Sequence, residues 1–95
     1  MYTYMKKSFL ESWTGGVNSF GQSEKFKRAQ GSSLSPEQRS VVNSGGIASH
    51  GKGNRDTKVF VLDEDNNMWS VTVSNSRLAV LKQKLKEAGY QLPAA

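Results

Sequence analysis

The chain has 95 residues, with 13 Lys and Arg against 8 Asp and Glu, no cysteine and one histidine, for a net charge of +5. Without cysteine there is no disulfide framework, thiolate nucleophile or cysteine-rich zinc site, and one histidine supplies too few ligands for an ordinary transition-metal site, so no metal and no other cofactor is expected. A charged content of 22% beside 36% apolar residues suits one small folded domain over 1–95.

At the start, Lys6-Lys7 precedes Ser8-Phe9-Leu10, and Glu11 then interrupts what a secretory signal would need as an apolar run. No window approaches the ~20 apolar residues of a membrane span, so a cytoplasmic protein without membrane contact is expected. Met5, Phe9 and Trp13 recur at helical spacing before Gly15-Gly16, which predicts a first helix over 4–13. Ser23 is a potential cap for a short polar helix over 24–30 that stops at Gly31. Ser35-Pro36-Glu37 reads as an N-cap, a first-turn proline and a first-turn acid, and opens a helix through Val41-Val42 to Gly45-Gly46. The Gly- and Ser-rich stretch at about 44–57 is predicted to be a flexible loop.

The last third is the most regular. Residues 58–62 and 68–73 are β-prone runs separated by Asp63-Glu64-Asp65-Asn66-Asn67, which predicts an antiparallel hairpin. Pairing Leu62 with Met68 collects Val59, Val61, Trp69, Val71 and Val73 on one face, with a five-residue loop, or three residues if 63 and 67 also pair. A slip by one residue mixes that face with Ser70 and Thr72. Leu78, Leu81, Leu85 and Ala88 then mark an amphipathic helix over about 76–88, ended by Gly89 in a left-handed cap, with Tyr90 touching Leu85 and Pro93 barring continuation. Hairpin and helix alone bury too little apolar surface to offset the entropy of ordering them, so Phe9, Leu10 and Trp13 are needed to complete the core. The expected architecture is α+β: short N-terminal helices, a hairpin and a C-terminal helix in one domain. A hairpin followed by a helix is too generic a pattern to assign a family.

Several strings invite chemical readings. Gly46-Ile-Ala-Ser-His-Gly51-Lys52-Gly53 fits a phosphate-binding loop in its glycines and lysine, but Gly53 stands where a magnesium-binding hydroxyl belongs and a strand, not a helix, follows. Asp63, Glu64 and Asp65 lack the alternating ligands and glycine of a calcium loop and read as a solvated turn. His50, near Lys52 and Arg55, is the one side chain suited to proton transfer near neutral pH; a His50-dependent ribonuclease is the least favoured reading.

The charge itself is local. Through Lys58 there are nine bases against four acids, and from Val59 onward four of each, so all the excess lies in the first 58 residues. Lys6, Lys7, Lys25, Lys27, Arg28, Lys52, Arg55 and Lys58 are the candidate nucleic-acid-binding residues, with Tyr2, Tyr4, Phe20 and Phe26 as aromatics able to stack on unpaired bases and Phe60 on the second face of the hairpin beside Lys58; packing between the two halves is the alternative role of Phe20, Phe26 and Phe60. The favoured function is a small basic, non-enzymatic nucleic-acid-binding protein that contacts phosphates through its N-terminal half. The alternative is a protein-interaction module, a regulator or inhibitor docking on an acidic protein surface or a nucleoprotein complex, a profile shared by accessory proteins of mobile elements. An exposed edge of a two-stranded sheet would also permit a homodimer.

Overall fold

The computed structural model describes residues 5–30 and 34–91; the predicted roles of Tyr2, Tyr4 and Pro93 fall outside them. Three helices, α1 (Met5–Ser12), α2 (Pro36–Asn43) and α3 (Asn75–Glu87), accompany four strands, β1 (Lys27–Arg28), β2 (Ala48–Lys52), β3 (Asp56–Leu62) and β4 (Met68–Ser74). The strands form one antiparallel sheet in the order β1-β4-β3-β2. Among the described residues, no helix is long and apolar enough to cross a membrane.

The central hairpin has the predicted register, Leu62 opposite Met68 and Val59 opposite Val71. Its tight version is the one formed: the Asp63 amide donates to the Asn67 carbonyl at 2.9 Å, and Asn66 takes the left-handed conformation (φ 66°) that closes a three-residue loop. Asp63 organises the turn. One carboxylate oxygen accepts the amides of Asp65 (2.8 Å) and Asn67 (2.9 Å), and the other accepts the Trp69 indole N–H at 2.9 Å. Burial alone would raise this carboxyl's pKa, but the donors outweigh it and hold the group below its ordinary value.

Val59, Val61, Trp69, Val71 and Val73 do share one face, where Leu10 of α1 and Leu81 and Leu85 of α3 bury them. Phe9 and Trp13 pack on the same cluster, so the first helix completes the core as its apolar spacing requires. The end of α3 also follows its sequence: Gly89 has φ 107°, and the Tyr90 amide donates to the Leu85 carbonyl at 3.0 Å. The Tyr90 hydroxyl donates to the Leu62 carbonyl, and its burial raises its pKa. On the opposite face, α2 covers Phe60 and Ala48 with Val42, joined by Leu34. Ser35 and Gln38 form a reciprocal capping box at its start.

Two expectations are corrected. The segment predicted as a helix over 24–30 is extended, and Lys27 and Arg28 pair with Ser70 and Trp69 as β1. Its burial has a period of two, with Glu24 and Phe26 inside and Lys25 and Lys27 outside. Phe26 fits beside Phe9 and Trp13, with ring centroids 6.2 and 5.9 Å away. A helix would break this alternation and leave the backbone edge of β4 unpaired. The predicted loop at 44–57 likewise holds a strand: residues 48–52 pair with 56–60, leaving a turn at 53–55 in which Gly53 has φ 66°. Few of these residues favour strands, and β2 forms because the free edge of β3 needs hydrogen-bond partners. The sheet therefore has four strands, and its edges are β1 and β2, not the two strands of the hairpin.

Candidate nucleic-acid interface

Pairing dictates what the partly uncovered face of the sheet presents. Lys27 is level with Ser70, which is level with the buried Phe60; in the next row His50, Lys58 and Thr72 lie side by side. Helix α2 covers the Phe60 end of this face. Beyond it lies a shallow pocket of about 170 Å³ whose lining includes Lys25, Lys27, Lys58, Asn18, Ser70 and Thr72. Among the described residues no carboxylate lines it. The Lys58 ammonium also stands 5.3 Å from the centre of the Phe60 ring, a cation–π contact that ties its long side chain to the sheet.

One wall of the pocket belongs to a small hairpin over 15–24, which is closed by backbone bonds from Gly15 to Glu24, Glu24 to Gly16, and Asn18 to Gln22. Asn18 is its organiser. The side-chain oxygen accepts the amides of Phe20 (2.9 Å) and Gln22 (3.1 Å), and the side-chain nitrogen donates to the Thr72 carbonyl on β4 at 3.1 Å. Ser19 donates its amide and hydroxyl to the two oxygens of Asp56, a buried acid on the same face as Lys58. That carboxylate is engaged beneath the turn.

Glu24 fastens the base of this hairpin. Its fully buried carboxylate accepts the amides of Gly16 (3.0 Å) and Ser74 (2.9 Å) and forms a two-pronged ion pair with Arg77 of α3. The Arg77 hydrogen bond is the main reason its pKa lies below the usual glutamate value; burial opposes this, and the two amides reinforce it. The same pairing raises the pKa of Arg77.

Of the eight candidate residues, Lys25, Lys27 and Lys58 therefore meet in one pocket. Lys52 lies on the same face, level with Asp56, but does not line it. The others are elsewhere. Lys6 and Lys7 are on α1, packed on the far face of the sheet through Leu10; the Lys6 ammonium stands 4.6 Å from the Tyr90 ring centre, and the Lys7 amide donates to Glu64. Arg28 alternates to the far face, where its guanidinium lies 5.7 Å from the Trp69 ring centre and donates to Asn67. Arg55 is in the β2–β3 turn, its carbonyl accepting the Asn75 amide. His50 is exposed on β2, directly opposite Lys58.

The aromatics separate as well. Phe26 and Phe60 are buried, whereas Phe20 is 60% exposed. Sequence reasoning missed Asn18, Ser70 and Thr72; the turn string Asn18-Ser-Phe-Gly21 and the shared parity of residues 58, 70 and 72 in the hairpin are the signals that identify them. The pocket is chemically suited to an anion, with three lysines and the hydroxyl-bearing Ser23, Ser70 and Thr72 among its lining residues. No protein-family model, curated protein or solved structure matches the chain.

Proposed function

We propose that the protein is a non-enzymatic nucleic-acid-binding protein whose phosphate contacts are made on the open face of the sheet. The observation that carries this reading is the meeting of Lys25, Lys27 and Lys58, drawn from segments more than thirty residues apart, in one pocket that no described carboxylate lines. Lys52 extends the basic face along β2. Three or four phosphate contacts give a slope of log K against log salt of about −3. A fourfold rise in salt, from about 50 to 200 mM, then weakens binding by about 60-fold.

Fluorescence anisotropy with labelled oligonucleotides tests this directly. Replacing Lys27 and Lys58 together by Gln is expected to weaken binding and to lower the salt slope by about 1.5 to 2. Absence of binding at low salt, or a slope unchanged by the double substitution, refutes the reading. A stoichiometric protein retained by affinity capture after nuclease treatment would favour a protein-interaction module instead.

A second reading has one observation in its favour, the placement of His50 opposite Lys58. There the imidazole can take a proton from a ribose 2′-hydroxyl whose oxygen attacks phosphorus; the bond to the 5′-oxygen breaks and that oxygen takes the proton back from the imidazolium, while lysines hold the charge gathering on the phosphate oxygens. Cleavage of labelled RNA that is lost in His50→Ala supports it; intact RNA excludes it.

A further inference from the structure

Resting on the phosphate-binding reading, we infer that the ligand is single-stranded and that Phe20 stacks on an unpaired base whose phosphate lies in the lysine pocket. Phe20 is set apart from the other described phenylalanines: Phe26 and Phe60 are buried and Phe9 packs against the main core, while Phe20 keeps 60% of its surface exposed. It stands at the tip of the 15–24 hairpin between Asn18 and Gln22, and both of these line the pocket. An exposed phenylalanine is thereby carried on the turn whose Asn18 and Gln22 line the anion site.

The turn that carries it is built to hold position. The Asn18 side chain ties the amides on both sides of the ring to the β4 backbone, and Ser19 anchors the same turn to Asp56. Gly21, with φ 78°, donates its amide to the Asn18 carbonyl at 3.0 Å and closes the loop. A turn whose backbone is fixed before the ligand arrives loses little freedom on binding. In a duplex the bases already stack on each other and offer no face to it, whereas every unpaired base has one, so the lysines supply affinity for phosphate and Phe20 discriminates single strands. A base stacked on an aromatic side chain contributes about 5- to 150-fold in affinity.

The test uses the full chain at about 50 mM salt, with labelled oligodeoxythymidylate, oligouridylate and a DNA duplex of equal length. Tighter binding of either unpaired strand than of the duplex is expected, and its sugar identifies DNA or RNA as the source. Phe20→Ala is expected to weaken single-strand binding about tenfold or more while leaving duplex binding and the salt slope unchanged. Phe20→Trp should retain the wild-type affinity, and Phe20→Leu, which keeps apolar area but not the π face, should behave like the alanine variant. Equal or tighter duplex binding overturns the inference. So does an alanine variant within twofold of wild type, or full retention by leucine, which marks a plain apolar contact. If the Lys27 and Lys58 substitutions still reduce the salt slope, phosphate binding survives that failure; if no nucleic acid binds at low salt, both fall together.

Discussion

Replacing Glu24 by Gln removes one charge and almost no volume, so it isolates the anchor under the 15–24 hairpin. One oxygen serves the Gly16 amide and the Arg77 Nε, and the other serves the Ser74 amide and the remaining guanidinium prong. In either orientation, a glutamine turns its NH2 group toward one backbone N–H and strands it. A stranded donor in a partly buried setting costs about 1–3 kcal/mol. Arg77 is 37% exposed and regains water, so it adds little to this figure. A loss of about 2 kcal/mol corresponds to a fall in Tm of about 8–16 °C for a chain of this size. Urea unfolding followed by Trp13 and Trp69 fluorescence, together with thermal melts, measures both.

The pH dependence provides a second reading of the same site. Because the native pKa of Glu24 is lowered, the unfolded chain takes up that proton first as the pH falls. The resulting stabilisation is complete above the ordinary glutamate pKa of 4.5 and is lost as the pH drops from there through the native value. In Glu24→Gln this component is absent, so stability should fall less steeply below about pH 4.5. A variant within about 0.5 kcal/mol of wild type, or an unchanged acid limb, refutes the assignment of Glu24 as the anchor.

Three further outcomes are expected. On the proposed phosphate-binding reading, replacing Lys6 and Arg28 together by Gln leaves the salt slope of oligonucleotide binding unchanged, because both face away from the pocket; anisotropy titration checks this. Gly15→Ala destabilises by about 1–3 kcal/mol in urea unfolding, since a methyl there would press on the Glu24 carboxylate and the Trp13 ring. Trp69→Phe removes one donor to Asp63, costs about 1.5–3 kcal/mol, and moves the Asp63 pKa upward in an NMR titration; an unmoved titration would contradict the indole's role.

What the sequence reveals depends on how local the cause is. The hairpin register, the Ser35 cap and the Gly89 stop are dictated by residues close together in the chain, and each forms as read. β2 has no such signal: Ala48-Ser-His-Gly-Lys52 is a strand only because β3 lies beside it. The segment around Phe26 offers a cap-like Ser23 but only one apolar residue among charged ones, so its strand period shows only in burial; packing of Phe26 against Phe9 and Trp13, and of Glu24 against Arg77, decides for the extended form. The same parity separates the basic residues, sending Lys25 and Lys27 to the pocket and Arg28 to the far face. Lys6 and Lys7 looked equivalent to them in a one-dimensional count of charge, which does not record the side of a sheet.

The strand order has a kinetic consequence. β2, β3 and β4 are joined in succession, whereas β1 joins β4 across 43 residues, Lys27 to Ser70. Local pairings close at a lower entropic cost than distant ones, so the β1–β4 pairing carries the largest loop-closure cost in the sheet. During synthesis, at ~5–20 residues per second, Lys25 and Lys27 wait about 2–9 s for the strand that completes their pocket. A nascent chain thus exposes its basic segment before it has the site, and a partner that recognises the assembled face meets only finished molecules.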